Sequence, residues 1–401
     1  MMKNERIDRR RFIRNTSSVM FTGAILPVLP TDMAKSESKE DSFGFLTLPY
    51  LQNLNHDMVV VMFIINSNAH SWVEFGENGF DNIACSSRDG LVDADIRLNK
   101  MILKNLKPET TYFYRVVSKQ ILSFDPYDLK YGEKITSEAF SFTTPKKDSG
   151  SVSCVILNDI HDRPDSFYDL FGLAEQLKFD FVVLNGDMFD YQTDERQIID
   201  HLLVPCTNLF ATETPFLMIR GNHETRGKYA RQLKGYFTYP DHDEYYFSFR
   251  QGPVHFIVLD SGEDKEDEHP EYGGIVNFDE FREEQARWLE NEVSKSEFSD
   301  CKYKVVIMHI PPFYSGNGHG TMHCRKLFHP VFERHNIAMV ISGHTHAYGI
   351  HPPTTEHSYP IIIGGGPQKG NRTLIHLKAN FENLETEMIK DDGSIIGRYT
   401  V

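Results

Sequence analysis

The chain has 401 residues, 40% of them hydrophobic and 12% aromatic, with a formal net charge of −15. That length fits two domains, and the apolar content is too high for a disordered chain. Residues 1–34 hold six bases against three acids, so the remainder carries −18, which argues against nucleic acid as a partner because such binding relies on Lys and Arg at phosphates.

The N-terminus is set aside before any fold reasoning. Arg9-Arg10-Arg11-Phe12-Ile13-Arg14 precedes a mildly apolar run from Val19 to Leu29. This resembles a twin-arginine export signal and implies an exported, periplasmic protein. Pro27 and Pro30 interrupt the run, so no stable membrane insertion is expected. Lys35 to Ser42 reads as a polar linker, which makes residues 1–42 signal and linker. The five cysteines, Cys85, Cys154, Cys206, Cys301 and Cys324, have no zinc or redox spacing.

Alternation dominates residues 43–145. Val59 to Ile65, Ser71 to Gly76, Ile96 to Leu103, Tyr112 to Val117 and Phe140 to Thr144 read as short strands separated by turn signals. Such a series predicts an all-β sandwich. Leu48-Pro49-Tyr50-Leu51-Gln52-Asn53, the turn from Leu106 to Tyr112 and the ending Phe142-Thr143-Thr144 resemble the fibronectin-III-like N-terminal domain of purple acid phosphatases.

From residue 146 to 401 the pattern becomes strand, polar turn, helix, strand. Val152 to Leu157 delivers Asp159 and His161; Phe179 to Leu184 delivers Asp187 and Asp190. Pro215 to Ile219 delivers Asn222, His223 and Glu224. Lys304 to Met308 delivers His309, and Ile337 to Ile341 delivers His344 and His346. Helical stretches are predicted at residues 166–177, 195–210 and 278–293, and residues 313–320 read as a glycine-rich loop over the site. This alternation predicts an α/β fold with ligands at the carboxyl ends of strands. Any one of these motifs alone is a turn, a helix cap or a core histidine as readily as a ligand. Together they place seven ligand-type residues at strand ends, a grouping that points to metal.

The ordered set Asp-x-His, Gly-Asp-x-x-Asp, Gly-Asn-His-Glu, His309 and Gly-His-x-His resembles the calcineurin-like metallophosphoesterases from residue 151 to about 375. With the N-terminal module, the chain is similar to a bacterial purple-acid-phosphatase-like protein. The resemblance implies a four-layer αββα sandwich and two metal ions, with Fe, Mn and Zn left open. It implies Asp159, His161, Asp187 and His346 on one ion and Asp187, Asn222, His309 and His344 on the other, Asp187 bridging. It further implies phosphomonoester hydrolysis of a small phosphorylated substrate by a metal-bridging hydroxide. His223 is the candidate general acid, beside Asn222 but outside the ligand set. Asn222 and His319 are the substrate-binding candidates, with His323 and Arg325 weaker ones. The alternatives are a phosphodiesterase acting on nucleotides or lipid headgroups and a non-catalytic surface binding protein. Oligomeric state is not readable.

The chain departs from the purple enzymes at two points. They have a metal-binding tyrosine three residues after the bridging aspartate, where this chain has Asp190, with Tyr191 one place too late. They lack the histidine of the first motif, which here is His161. The expectation is a centre without tyrosinate colour.

Overall fold

The computed structural model describes residues 42–240 and 244–401. The expected export signal, and the linker up to residue 41, lie outside the described residues.

The apolar run from Val59 to Ile65 is buried on both faces, and this is why it does not alternate. Val59, Val61, Phe63 and Ile65 pack with Leu51, Met101, Leu103, Tyr114 and Phe142. Val60, Met62 and Ile64 face the other way and join the core around Phe216 and Phe237. The two predicted strands here are one 19-residue strand, Met58–Gly76. Its first half pairs with Ile96–Lys104 and its second with Thr111–Asp125, with an irregularity between Ile64 and Ala69. A local bulge of this kind lets one strand bend and continue. Seven of the nine strands described in this region connect into one sheet built on it, and Ser87–Arg88 and Leu91–Val92 pair separately.

The seven-stranded sheet is held to the rest by apolar packing and a few long-range bonds. Tyr50 Oη donates to the Tyr236 carbonyl at 3.0 Å, and Gln52 Nε2 donates to the Phe216 carbonyl at 2.8 Å. Tyr114 Oη donates to the Thr212 carbonyl at 2.7 Å. Residues 43–401 form one compact unit.

Beyond residue 150 lie two six-stranded sheets. In the first, Ser151–Leu157, Phe181–Asn185 and Phe216–Ile219 run parallel, and the antiparallel strands Thr373–Asn380, Leu384–Lys390 and Ile395–Thr400 extend it. In the second, Val254–Leu259, Tyr303–Met308, Met339–Ser342 and Ile361–Ile363 run parallel, with Phe247–Gln251 and Gly349–His351 antiparallel at the edges. Alternate residues of Val254–Leu259 go to different cores. Phe256 and Val258 pack with the first sheet's Cys154 and Ile156, whereas Ile257 and Leu259 pack with Leu289, Phe328 and Phe332. Those three belong to the helices Phe278–Glu292 and His319–Arg334.

Three helical readings need revision. The first helix is shorter than its apolar pattern, Asp165–Ala174. The second is capped by Asp194, whose side chain accepts from Gln197 N, and it contains two π-turns, Ile199–Leu203 and Thr207–Ala211, on either side of Pro205. Proline has no N–H for the regular ladder, and wider turns absorb the gap. The predicted loop ends at Gly318, where His319–Arg334 begins, so His319, His323 and Arg325 are helical residues. The glycine, histidine and Pro330 content masked this helix in the sequence.

Among the described residues no helix is long and apolar enough to cross a membrane. All five cysteines are free thiols.

At the end of Phe278–Glu292, Glu292 is buried and accepts hydrogen bonds from Ser248 Oγ at 2.6 Å and His255 Nε2 at 3.1 Å. Lys295 Nζ lies 2.6 Å from its other oxygen. Burial works against the charge, but His255, Lys295 and Ser248 outweigh it and bring the carboxyl down from 4.5 to about 2. A depressed acid stabilises the fold above its unfolded pKa, and that contribution is lost as pH falls through the folded value. Glu292→Gln is therefore expected to lower thermal stability at pH 6 and to make little difference at pH 2, as read from melting curves across that range.

Candidate metal centre

Five of the seven parallel strands end in turns that converge from both sheets. Asp159 and His161 follow Ser151–Leu157, Asp187 follows Phe181–Asn185, and Asn222 follows Phe216–Ile219. From the second sheet, His309 follows Tyr303–Met308, and His344 and His346 follow Met339–Ser342. Five of these seven residues, Asp159, His161, Asp187, His344 and His346, have left-handed backbone, with φ between 52° and 71°. That conformation costs a non-glycine residue roughly 1–3 kcal/mol and persists where the surroundings over-determine it. The motif glycines are needed for close approach. At Gly186, with φ of +80°, a Cβ would lie 2.5 Å from His309 Nδ1.

The seven side chains form two groups sharing one aspartate. Asp159, His161, Asp187 and His346 present ligand atoms within 4.8 Å of one another, and so do Asp187, His309 and His344. Asn222 joins the second group, its Oδ1 3.0 Å from His344 Nδ1. Asp187 Oδ2 lies 3.6 Å from His161 Nε2 and 3.0 Å from His309 Nε2. Asp159 Oδ1 lies 3.3 Å from His346 Nε2.

These atoms fit a cation better than they fit each other. Asp159 Oδ1 and His309 Nε2 are buried and make no hydrogen bond. His161 Nε2 and His346 Nε2 face one another at 3.0 Å. Buried polar atoms are ordinarily satisfied, so orphans converging here are the mark of a missing partner. The field has the same sign. Burial disfavours the charge on Asp159, yet His161 and His346 hold its carboxyl well below the usual range. Burial alone would push the His309 imidazole down, but the Asp187 and Asp159 carboxylates raise it to about 10. Oxygen and imidazole donors suit Zn, Fe or Mn.

Outer contacts fix how the donors point. His309 Nδ1 donates to the Asn185 carbonyl at 2.8 Å, leaving Nε2 for the cluster. His161 Nδ1 donates to Asp190 Oδ1 at 2.8 Å, with the same result. The aspartate that replaces the expected tyrosine thus orients the extra histidine. Such supports set tautomer and basicity.

Glu224, fully buried, was quoted only as part of a motif. Its Oε2 accepts from Asp187 N at 2.8 Å and Gly221 N at 2.7 Å, and its Oε1 accepts from Met188 N at 2.8 Å and Phe189 N at 3.3 Å. Burial and the Asp187 charge push its carboxyl up to about 7, while backbone N–H bonds to Asp187 and Gly221 favour the charged form. The signal that could have found it is a glutamate where an acid had no exposed task.

His223 sits at the edge of the first group, its Nε2 3.9 Å from Asp187 Oδ2. Its Nδ1 donates to the Asp190 carbonyl at 2.7 Å, and its Nε2 accepts from Arg226 Nη1 at 2.9 Å. Burial holds the imidazole below its ordinary pKa; Asp187 opposes this and Arg226 adds to it. His319 pairs with Asp279. Its Nε2 donates to Asp279 at 2.8 Å, and His323 Nδ1 donates to the same carboxylate at 3.0 Å. Arg325 donates to the Pro312 carbonyl and stacks over Phe313.

Glu224→Gln is expected to lose most bound metal, because an amide nitrogen would face backbone N–H groups and release the turns carrying Asp187 and Asn222. Metal analysis after dialysis checks this, with circular dichroism separating local loss from unfolding.

Residues 153–348 match the family model for calcineurin-like phosphoesterases. The chain is similar to probable purple acid phosphatase 20 of Arabidopsis thaliana, 21% identical over 78% of this chain and 70% of that one. Purple acid phosphatase 1 of Ipomoea batatas is 25% identical over 65% of this chain, which spans 53% of that enzyme. Among solved structures, a purple acid phosphatase from yellow lupin (Lupinus luteus) seeds shares the fold, with a TM-score of 0.66 at 15% identity over 88% of this chain and 73% of that one. These relatives imply a dimetal centre. With its strand-end motifs assembled around one shared aspartate, the chain carries a calcineurin-like phosphoesterase domain and is a metal-dependent phosphoester hydrolase.

Proposed function

We propose that this protein is a phosphomonoesterase of the purple-acid-phosphatase type acting on a small phosphorylated substrate. The observation that carries the reading is the convergence of seven donors from two sheets on one shared aspartate, Asp187. In this reading Asp159, His161 and His346 hold one ion, Asn222, His309 and His344 hold the other, and Asp187 bridges them. Two ions so held would neutralise phosphoryl charge and lower the pKa of an attacking water toward neutrality. The choice among Fe, Mn and Zn stays open, and Asp190 in place of tyrosine argues for a colourless centre.

The chain's own residues then have separate tasks. Asp190 and the Asn185 carbonyl keep His161 and His309 aimed inward. Glu224 keeps the Asp187 and Asn222 turns together. His223 is the candidate general acid through Nε2, the nitrogen nearer the donors; Nε2 accepts from Arg226 at rest, so it takes up a proton before passing it to the leaving oxygen. The finer architecture belongs to the same reading. The two facing sheets, with helices packed on the outer side of the second, support a four-layer αββα domain over 146–401. The seven-stranded sheet of 43–145 supports a fibronectin-III-like module that braces it. The Arg9–Arg14 segment supports export to the periplasm.

The test is paired rates on p-nitrophenyl phosphate and bis-p-nitrophenyl phosphate with metal-loaded protein. Faster monoester cleavage that collapses in His309→Ala is expected; faster diester cleavage would move the protein to the phosphodiesterases. His223→Ala is expected to lower monoester turnover by about 10²-fold or more with metal content unchanged. Parallel loss of metal would remove His223 from its role.

A further inference from the structure

Arg226 lies four residues past Asn222, and its guanidinium is divided between two tasks. Its Nε and Nη2 donate to the two oxygens of Glu263, each at 2.9 Å. Glu263 is almost completely buried and also accepts from Thr225 Oγ1 at 2.8 Å and Tyr272 Oη at 3.1 Å. The remaining arm, Nη1, points at His223 Nε2. The Arg226 side chain is 32% exposed, so this charge is fixed from behind by Glu263 while Nη1 reaches His223 beside the donor cluster.

A buried ion pair is weak evidence of a stabilising role, because desolvation offsets much of the attraction. A guanidinium held by a bidentate carboxylate is instead well prepared to meet an anion with its free edge. At rest Nη1 meets the His223 imidazole nitrogen, and Asp264 Oδ1 lies 3.9 Å from Nη2. An anionic phosphoryl oxygen is a far better partner.

We infer that Arg226 recognises a terminal phosphoryl group and makes this site selective for phosphomonoesters over phosphodiesters. The inference rests on the proposed function and deepens it. A monoester offers three non-bridging oxygens and two negative charges near neutral pH; a diester offers two such oxygens and one charge. With two phosphoryl oxygens turned toward the donor set, only the monoester has a third anionic oxygen for Arg226. The diester would place an esterified oxygen there and leave Nη1 without an anionic partner. When Nη1 turns to the phosphate it also frees the His223 Nε2 lone pair, which can then take up a proton for the leaving group. Recognition of the right charge and the freeing of His223 Nε2 are then one movement.

Arg226→Met alone would leave Glu263 buried and unpaired, a change that can unfold the protein. The test therefore uses two variants of the metal-loaded full chain. Arg226→Met/Glu263→Gln removes both charges while keeping an acceptor for Thr225 and Tyr272, and Arg226→Lys keeps the charge without the fork. Three quantities are read: kcat/KM on p-nitrophenyl phosphate and bis-p-nitrophenyl phosphate, the Kd of inorganic phosphate by calorimetry, and bound metal. In the double variant the monoester-to-diester ratio should fall by about tenfold or more, and phosphate should bind about tenfold more weakly, the worth of one charge-assisted contact. Metal content should match wild type, and Arg226→Lys should recover part of the phosphate affinity. A ratio and a phosphate Kd that both stay within twofold of wild type would overturn the inference, as would metal loss that accounts for the change. Wild-type protein inactive on both esters would overturn the proposed function instead, and phosphate calorimetry would still decide whether Arg226 binds the anion.

Discussion

A single buried carboxylate, Glu224, ties together the turns that end two neighbouring strands. It accepts backbone N–H groups from Asp187, Met188 and Phe189 on one turn and from Gly221 on the other. The cost of burying its charge is offset only because both oxygens are filled by backbone donors. Asp187 and Asn222 therefore stand at a set separation before any ion arrives. His223 N in turn donates to Asp187 Oδ1 at 2.9 Å, which locks the carboxylate's rotation.

The rest of the centre is arranged around that knot. Parallel strands in both sheets end on the same side, so polar residues placed one to four positions past the strand ends meet in space. Left-handed backbone at Asp159, His161, Asp187, His344 and His346 stores strain that the packed sheets must hold. The N-terminal sheet contributes from a distance. Its strand Met58–Gly76 lends Val60, Met62 and Ile64 to the core behind Phe216–Ile219, the strand that presents Asn222.

Much of this arrangement was legible in the sequence, and the reason is periodicity. Apolar strands followed by Asp, Asn or His announce themselves locally, and the seven donors named from motif order do come together. What was hidden depends on contacts between distant residues. Glu263 finds Arg226 across 37 positions, and Asp190 finds His161 across 29. Neither pairing leaves a local pattern. The helix His319–Arg334 was hidden for another reason, since its glycine, histidines and Pro330 read as loop chemistry, and His319 turns to Asp279 instead of the seven donors. The strand Met58–Gly76 was read as two because polar Asn66, Ser67 and Asn68 imitate a turn where the chain only bulges.

The central claim is that two ions share Asp187, and anomalous X-ray scattering from crystals of the metal-loaded protein tests it most directly. Two peaks are expected, each about 2.0–2.3 Å from its ligands. One should lie among Asp159, His161 and His346 and the other among Asn222, His309 and His344, with Asp187 reaching both. A single peak, or two ions bound without Asp187 between them, would contradict the dimetal account.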